Sequence, residues 1–401
     1  MAQKKLMLLG GLRYLLPVIE AAHRLGIYVI TVDYLPDNIA HRYSDEYHNV
    51  SIIDKEAVLE LARELQIDGI MSFAVDPGVV SAAYVAEQLG LPFQCSYESA
   101  CILQDKSRFR QFLADNGFNV PNARGYDNAE AALHDVDYFN WPVIVKPVDS
   151  AGSKGVTRVD HPADLPAAIT HALECSPSRH FIVEDFLEKK GQSSDTECFT
   201  IDGKLVFCSF NDQHFDHDAV NPYTPAAYSW PSTMPQWAQD ELHKDLQRLS
   251  DLLHLRSGIY NVETRLCTNG KPYIMEISPR AGGNRLAEML RYCTGCDLIE
   301  AQTRMSLGLP INPITQPNYN YYLIEIILHA THCGMFSAVE IDPEIRAYVF
   351  DQDLWVRPGE RVNGFTGANQ AIGTITFRFP YYQNLTDTLS HITTLVKTIV
   401  K

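Results

Sequence analysis

The chain has 401 residues, of which 46% are hydrophobic, and carries a formal net charge of −16 at pH 7. This length and apolar content predict a globular protein of two or three domains with a large core. The acidic balance argues against a nucleic-acid or anionic-membrane surface, because either would need a basic face. The apolar run near the N-terminus is too short for a signal-peptide core or a membrane span, so we expect a cytoplasmic protein.

The first part of the chain alternates apolar strand candidates, such as Leu6–Leu9 and Tyr28–Val32, with amphipathic helices, such as Lys55–Leu65 and Pro77–Leu89. This alternation is typical of a parallel sheet with helices on both faces. The last helix of the series has Asp76 as its predicted cap and Gly90 after its end.

A predicted helical segment from Ser96 to Asn116 contains Lys106 and leads into a small α+β module. In that module Lys146 ends a buried strand, and a loop rich in glycine and serine, with Lys154, follows it. The small residues and backbone amides of such a loop can wrap phosphates, and the two lysines supply positive charge. The loop lacks the ending of a Walker A motif, so an ordinary hairpin turn remains an alternative.

Two further stretches indicate binding. The apolar strand Phe181–Leu187 is interrupted by Glu184 and Asp185, a pattern that suits a hinge whose backbone could pair with an adenine edge. Residues 211–235 show no periodicity, and the aromatic residues there, among them Tyr228 and Trp230, favour a functional loop.

The most informative stretch is 259–285, where two apolar runs are joined by Asn269-Gly270. This dipeptide predicts a β-hairpin with a two-residue turn, which places Glu263 directly opposite Glu276. Facing carboxylates repel one another unless something compensates. Because oxygen ligands without His or Cys suit Mg²⁺, we predict a magnesium site at this pair.

The second hairpin strand continues into polar and small residues. Strand alternation puts Glu276, Ser278 and Arg280 on one face, and Ser278 is a candidate third ligand for the metal. Beyond them, the stretch Gly282-Gly283-Asn284 offers backbone N–H groups that could bind an anion ahead of a helix. The alternative is a solvated hairpin whose two glutamates pair with Arg265 and Arg280 at the surface.

The C-terminal region predicts further strands, including Ile324–Leu328, Ala347–Phe350 and Ile372–Phe379, and a last amphipathic helix at Leu385–Val400. Three other patterns are incomplete and do not by themselves predict a site, although the Gly10-Gly11 amides or Arg13 could still bind a substrate anion. They are the Gly10-Gly11 turn with Asp33, which lacks the NAD glycine pattern, the pair His214 and His217, which lacks a third metal ligand, and Cys293 with Cys296, a C-x-x-C without a second pair.

Taken in order, these features resemble the ATP-grasp superfamily over nearly the whole chain. The pattern is most similar to carboxylate–amine ligases of the L-amino-acid ligase type, and more distantly to carbamoyl-phosphate synthase and biotin carboxylase. The resemblance implies an α/β ATP-grasp fold with a doubly wound pre-ATP-grasp domain at 1–100. It also implies an α+β lid at 118–187, a larger α+β subdomain with the metal and substrate site at 188–315, and an α+β extension at 316–401.

The resemblance also implies roles for individual residues. Lys106 and Lys146 would hold the α and β phosphates of ATP, the glycine-rich loop would close over the γ phosphate, the hinge backbone would bind adenine, and Glu197 would bind the ribose. The implied nucleotide-binding set is Lys106, Lys146, Ser150, Gly152, Ser153, Lys154, Gly155, Glu184, Asp185, Phe186, Leu187 and Glu197. The metal set is Glu263, Glu276 and Ser278, the catalytic set is Arg280 and Lys146, and the substrate set is Arg280, Gly282, Gly283, Asn284, Tyr228 and Trp230.

The expected function is therefore an ATP-dependent ligase that uses Mg²⁺, or Mn²⁺ in its place, and joins a small carboxylate to an amine through an acyl phosphate. The sequence leaves the oligomeric state open, with a homodimer as one alternative. In the family the pattern is Glu-x-Asn-x-Arg, whereas this chain has Ser278 at the position of the asparagine. A serine hydroxyl is a weaker metal ligand than an asparagine amide. Two alternatives remain: a carboxylase-like ATPase that depends on bicarbonate, and a nucleotide-binding protein that has lost turnover.

Overall fold

The computed structural model describes residues 3–150, 154–219, 221, 223–367 and 370–401. Its strands are β1 (Lys5–Leu9), β2 (Tyr28–Val32), β3 (Glu46–His48), β4 (Gly69–Met71), β5 (Ala123–Tyr126), β6 (Val143–Pro147), β7 (Thr157–Val159), β8 (Phe181–Asp185), β9 (Ser194–Ile201), β10 (Lys204–Ser209), β11 (Asp212–Phe215), β12 (Pro225–Trp230), β13 (Gly258–Leu266), β14 (Pro272–Ser278), β15 (Tyr322–Leu328), β16 (Gly334–Ile341), β17 (Val349–Leu354), β18 (Arg361–Val362), β19 (Gly373–Phe379) and β20 (Val396–Val400). Its α-helices are α1 (Leu16–Arg24), α2 (Lys55–Leu65), α3 (Val79–Leu89), α4 (Tyr97–Gln104), α5 (Lys106–Asp115), α6 (Ala129–His134), α7 (Leu165–Cys175), α8 (Gln236–Leu252), α9 (Leu286–Thr294), α10 (Leu298–Ser306), α11 (Pro343–Arg346), α12 (Tyr382–Ser390) and α13 (Ile392–Leu395). The predicted phosphate-binding residues Gly152 and Ser153 lie outside the described residues.

The chain divides into two compact units, each assembled from three segments. Unit 1 comprises Met1–Arg124, Asp195–Ser209 and Pro235–Pro317. Unit 2 comprises Gly125–Ser194, Phe210–Met234 and Asn318–Lys401. The four-domain division inferred from the sequence stays a prediction.

Unit 1 begins with a parallel sheet in the order β3-β2-β1-β4. The last four residues of β1 are buried, as expected for a strand covered on both faces. Helix α2 has the predicted bounds, and its side-chain cap is Asp54, which accepts a hydrogen bond from the backbone N–H of Ala57. Strand β3 was not predicted, because its sequence Glu-Tyr-His has no apolar alternation.

The helical segment predicted from Ser96 to Asn116 is helical in the structure, where it consists of the two helices α4 and α5. The backbone of Asp105 is extended between α4 and α5, and its carboxylate accepts hydrogen bonds from the N–H groups of Ser107 and Arg108. Asp105 therefore ends one helix and caps the next. Lys106 consequently occupies the first position of α5.

Unit 1 also contains an antiparallel sheet in the order β10-β9-β13-β14. Strands β9 and β10 pair antiparallel around the tight turn at Asp202-Gly203. The last two strands form the predicted hairpin, and they carry the two glutamates of interest.

Unit 2 has three sheets, in the orders β5-β8-β6-β7, β11-β12-β15-β19-β17 and β18-β16-β20. The first packs a buried apolar cluster, including Val143, Val145 and Val183, against residues of α7 such as Ile169. A second buried cluster includes Ile324, Ile375 and other residues of β15 and β19.

The long irregular loop predicted at 211–235 is wrong, because this stretch contains β11 and β12. Its strands were missed since they hold few β-branched residues, and their pairing with the apolar strand β15 completes the sheet. Tyr228 and Trp230 are each 1% exposed in β12. Their predicted contact with substrate gains no support from this buried position and stays a prediction.

The last helix predicted at Leu385–Val400 is also partly wrong. Helices α12 and α13 end at Leu395, and Val396–Val400 forms β20, which pairs with β16. The residues Val396, Ile399 and Val400 suit a strand, and the pairing outweighs the apparent helical periodicity. Among the described residues, no helix combines the length and apolar character needed to cross a bilayer.

Candidate active site

The hairpin of unit 1 brings the two predicted metal ligands face to face. Glu263 pairs with Glu276 in the register of β13 and β14, as predicted. The turn itself differs from the prediction, because the N–H of Cys267 donates to the carbonyl of Lys271 and so encloses three residues. The extra turn residue is offset by a bulge at Met275, which has no partner in the register between Glu276 and Ile274.

Each of the two glutamates has a cation beside it. Arg265 Nη2 lies 3.3 Å from Glu263 Oε1, and Lys106 Nζ lies 3.5 Å from Glu276 Oε1. The carboxylate side chains are 35% and 41% exposed. Two accessible, opposed carboxylates fit Mg²⁺, which keeps waters and substrate phosphates in its remaining positions. Within the described part of the chain, no group of three or more His, Cys, Asp or Glu residues could hold a metal alone.

Ser278, the predicted third metal ligand, is buried and already hydrogen-bonded. Its hydroxyl accepts a hydrogen bond from Gln104 Nε2 at 2.7 Å and donates one to Asp76 Oδ1 at 2.9 Å. Its role as a ligand stays a prediction. Gln104 and Asp76 are site residues that the sequence reasoning missed.

Arg280 forms an extensive network in unit 1. Its Nε and Nη2 atoms donate to the two oxygens of Asp76 at 2.8 and 2.5 Å, and Nη1 donates to Asn261 Oδ1 and to the carbonyl of Ala281. Burial works to raise the pKa of Asp76, but the charge and hydrogen bonds of Arg280, with help from Ser278, outweigh burial and lower that pKa. The predicted helix cap Asp76 is therefore the partner of Arg280; the structure shows no side-chain cap on α3.

Glu197 lies beside the predicted substrate loop and is 1% exposed. Its Oε1 accepts hydrogen bonds from the N–H of Gly282 at 2.6 Å and from Asn261 Nδ2 at 3.1 Å. Burial, followed by the neighbouring charge of Asp195, raises the pKa of Glu197 to about 8. The predicted ribose contact gains no support from this enclosed position and stays a prediction.

The stretch between β14 and α9 has an unusual backbone. Asn284 and Arg285 both have positive φ, at 50° and 59°, which is rare for residues other than glycine. Tyr14 Oη donates to Asn284 Oδ1 at 3.1 Å, and Arg285 pairs with Glu288 at 3.3 Å. A small cavity nearby is lined by Tyr14, Pro17, Phe73, Gly282, Arg285, Ala287, Glu288 and Ile299. This cavity is a candidate substrate pocket within unit 1.

Unit 2 holds the predicted nucleotide-binding strand and loop. Lys146 Nζ lies 2.5 Å from Glu184 Oε1, and their side chains are 13% and 4% exposed. The two residues lie on adjacent strands, because β6 pairs with β8. Lys154 is exposed at the end of the glycine-rich loop, and Gly155 has φ +73°.

The end of β8 and the residue after it are hydrogen-bonded to the segment just before β6. The carboxylate of Asp185 accepts hydrogen bonds from the backbone N–H and the side-chain amide of Asn140, both at 2.8 Å. The N–H of Phe186 donates to the carbonyl of Pro142 at 2.9 Å, and the Arg158 guanidinium lies 4.4 Å from the Phe186 ring. The Phe186 amide is therefore engaged within unit 2.

Comparison with known proteins supports the resemblance inferred from the sequence. Residues 139–288 match the ATP-grasp domain family, and residues 19–93 match the ATP-grasp N-terminal domain family. A formate-dependent phosphoribosylglycinamide formyltransferase from Synechococcus sp. is 29% identical over 89% of this chain and 91% of that protein. A carbamoyl phosphate synthase large chain from Ralstonia nicotianae is 24% identical over 62% of this chain and 21% of that protein. Among solved structures, an L-amino acid ligase from Bacillus licheniformis has a TM-score of 0.82 at 20% identity, with full coverage of both chains.

The chain contains an ATP-grasp domain preceded by an ATP-grasp N-terminal domain, and the predicted α/β ATP-grasp fold is confirmed. More particularly, it is an ATP-dependent ligase that forms C–N bonds. Enzymes of this family use ATP with Mg²⁺.

Proposed function

We propose that the protein joins a small carboxylate, amino-acid-like in character, to an amine through an acyl phosphate formed with ATP. The observation that carries this proposal is the opposed pair of Glu263 and Glu276 with Lys106 beside it, in a chain that contains an ATP-grasp domain. The similarity of the fold to that of the L-amino acid ligase from Bacillus licheniformis is the reason for proposing an amino-acid-like substrate.

In this proposal unit 1 supplies the metal ligands. Glu263 and Glu276 would hold Mg²⁺, which would supply positive charge beside the phosphates of ATP. Lys106, at the start of α5 and beside Glu276, would contact a phosphate. An oxygen of the carboxylate substrate would attack the γ phosphorus and ADP would leave. The amine nitrogen would then attack the acyl carbon, the C–O bond to phosphate would break, and phosphate and a proton would be released.

Unit 2 would supply the remaining nucleotide contacts. Lys146 and Lys154 would neutralise phosphate charge, and Ser150 with Gly155 would form the part of the loop nearest them. The backbone from Glu184 to Leu187, at the end of β8 and just beyond it, would bind the adenine edge. The pairing of Lys146 with Glu184 holds the lysine side chain against the sheet.

In the substrate part of the site, the positive charge of Arg280 would stabilise negative charge on the reacting carboxyl group. Arg280 would also act indirectly, by holding the 281–285 loop in position. Its hydrogen bonds to Asp76, Asn261 and the carbonyl of Ala281 fix the start of the 281–285 loop. Gly283 and Asn284 follow in that loop beside the small cavity, and would contact the substrate.

The direct test is release of ADP and phosphate by the purified protein with Mg·ATP, a panel of amino acids as carboxylates, and a panel of amines. Hydroxylamine replaces the amine in a parallel series, because it traps an acyl phosphate as a hydroxamate. We expect ADP release that requires both a carboxylate and an amine, and Glu276→Gln as the matched control should abolish it. ATP binding without release under any combination would favour the alternative of a protein that has lost turnover.

Formate is a second candidate for the carboxylate. The relative from Synechococcus sp. matches nearly the full length of this chain, and its name states a dependence on formate. The same assay with formate, and with bicarbonate as a further arm, separates these acids. Product that forms with formate but with no amino acid would replace the amino-acid proposal.

A further inference from the structure

Glu197 is a buried carboxyl group with an unusual set of contacts. One oxygen, Oε1, accepts hydrogen bonds from the N–H of Gly282 and from Asn261 Nδ2. The other oxygen, Oε2, is buried and has no hydrogen-bond partner among the residues that the structure describes. A charged carboxylate in this position would have one oxygen without a donor, at a high cost in free energy.

The charged neighbours favour a neutral Glu197. Asp195 lies two residues earlier on the same face of β9, and its Oδ1 accepts from the same Asn261 Nδ2 at 2.6 Å. Arg280 is the nearest cation, but its Nε and Nη2 atoms donate to Asp76. On β10 the opposite residue is Ser209, which does not titrate in the ordinary pH range.

Glu197 is hydrogen-bonded to the backbone N–H of Gly282, a position where the structure leaves no room for a side chain. A Cβ built on Gly282 would lie 2.5 Å from Glu197 Oε1 and 2.7 Å from Asn261 Nδ2, and it would also clash with Leu286. Glu197 thus fixes the start of the 281–285 loop, which continues into two residues with positive φ and then into α9.

We propose that Glu197 is a positioning residue of the ligase reaction, and that its neutral acid form holds the Gly282 peptide so that the 281–285 loop can receive the substrate. This inference rests on the proposed function only for its catalytic consequence. Ionisation places a second negative charge beside Asp195 and leaves Oε2 charged without a donor. Water can solvate the ionised Glu197 carboxylate only if the 281–285 loop moves away from it. Ionisation therefore favours displacement of the loop.

The pH dependence follows from the acid form. With a pKa of about 8, Glu197 is about 90% neutral at pH 7 and about 10% neutral at pH 9. Substrate turnover that needs the neutral form should therefore fall about tenfold in kcat/KM between these pH values. Glu197→Gln keeps an oxygen for Gly282 and Asn261 but cannot ionise, so it should remove this fall.

The experiment compares the wild-type protein, Glu197→Gln, Glu197→Ala and the surface control Glu60→Gln from pH 6 to pH 9.5. We expect kcat/KM of the wild type to fall about tenfold from pH 7 to pH 9, and that of Glu197→Gln to change by less than about threefold over the same range. Glu197→Ala should raise KM at all pH values because the Gly282 N–H loses its acceptor, and Glu60→Gln should follow the wild type. Identical pH profiles for the wild type and Glu197→Gln would overturn the proposal, as would loss of kcat in Glu197→Gln at pH 7.

A second measurement does not require turnover. Hydrogen exchange of peptides covering 281–285, followed by mass spectrometry, should be faster in the wild type than in Glu197→Gln at pH 9 and equal at pH 7. Comparison at one pH cancels the intrinsic effect of base on exchange. If turnover is never found but this difference is present, the proposed function fails and the loop contact stands. If the exchange is equal at both pH values, the inference about Glu197 is refuted whatever the activity.

Discussion

The ion pair between Asp76 and Arg280 gives the most direct test of how unit 1 is held together. Asp76→Ala removes three hydrogen bonds, two from Arg280 and one from the hydroxyl of Ser278. At about 1.5 kcal/mol for each bond to a charged group, the loss is about 4–5 kcal/mol. Because the Asp76 side chain is 21% exposed, solvent offsets part of this loss, and we expect about 3 kcal/mol.

The assay is urea unfolding followed by far-UV circular dichroism, with the midpoint and slope compared between variants. The control is Glu98→Ala, which removes the partner of Arg108 in a pair at 2.5 Å whose side chains are 43% and 69% exposed. An exposed pair should contribute less than about 1 kcal/mol, although its distance is as short as that of the buried pair.

The double variant Asp76→Leu with Arg280→Met separates the charge from the packing. It removes both ions, so it should unfold at a higher urea concentration than Asp76→Ala, in which an uncompensated guanidinium stays largely buried. The sign of the pH effect also follows, because Arg280 lowers the pKa of Asp76. The stabilisation is present above the ordinary carboxyl range and is lost as the pH falls through the lowered pKa. A cost of Asp76→Ala no larger than that of Glu98→Ala would refute this reasoning.

Three further predictions concern single side chains. Glu276→Gln should change the stability of the metal-free protein by less than about 1 kcal/mol, since the residue is 41% exposed, and should abolish Mg·ATP turnover; ADP release and calorimetric unfolding measure the two effects, and normal turnover would refute the metal site. Lys146→Met leaves the buried carboxylate of Glu184 without its cation, so unit 2 should lose about 3–5 kcal/mol, part of which Glu184→Gln should restore in urea unfolding; an unchanged midpoint would contradict this. Gly282→Ala should lower the free energy of unfolding by about 1–3 kcal/mol, because its Cβ would overlap a buried carboxylate oxygen. Gly283→Ala, whose Cβ would meet one atom at 4.0 Å, should leave thermal unfolding unchanged. Equal unfolding temperatures for the two variants would refute this difference.

Local patterns predicted much of the fold, because the first strands and helices depend on short-range periodicity. Helix α2 and strand β2 lie where the sequence placed them. The stretches that failed are those where distant pairing decides the structure. Strand β12 is completed by β15, about 100 residues later in the chain, and β20 is completed by β16. No local pattern contains that information.

The candidate site shows the same division. Glu263 and Glu276 could be paired from the sequence, since a hairpin is local, whereas Asp76 lies 204 residues before Arg280 and resembled a helix cap. A carboxylate just after a strand of a parallel sheet is a weak indication of a site residue. Asn261 and Asp195 carried no such indication, and only the packing of β9 against β13 reveals their link to Glu197.

The bulge at Met275 has a consequence for how this enzyme can vary. The carbonyl of Met275 accepts a hydrogen bond from the buried Arg110 at 2.7 Å, which anchors the hairpin at that point from outside the ladder. This contact holds the hairpin at a point between its turn and the two glutamates. We therefore expect homologous chains to tolerate turns of other lengths, because a change in the turn need not alter the register of Glu263 with Glu276.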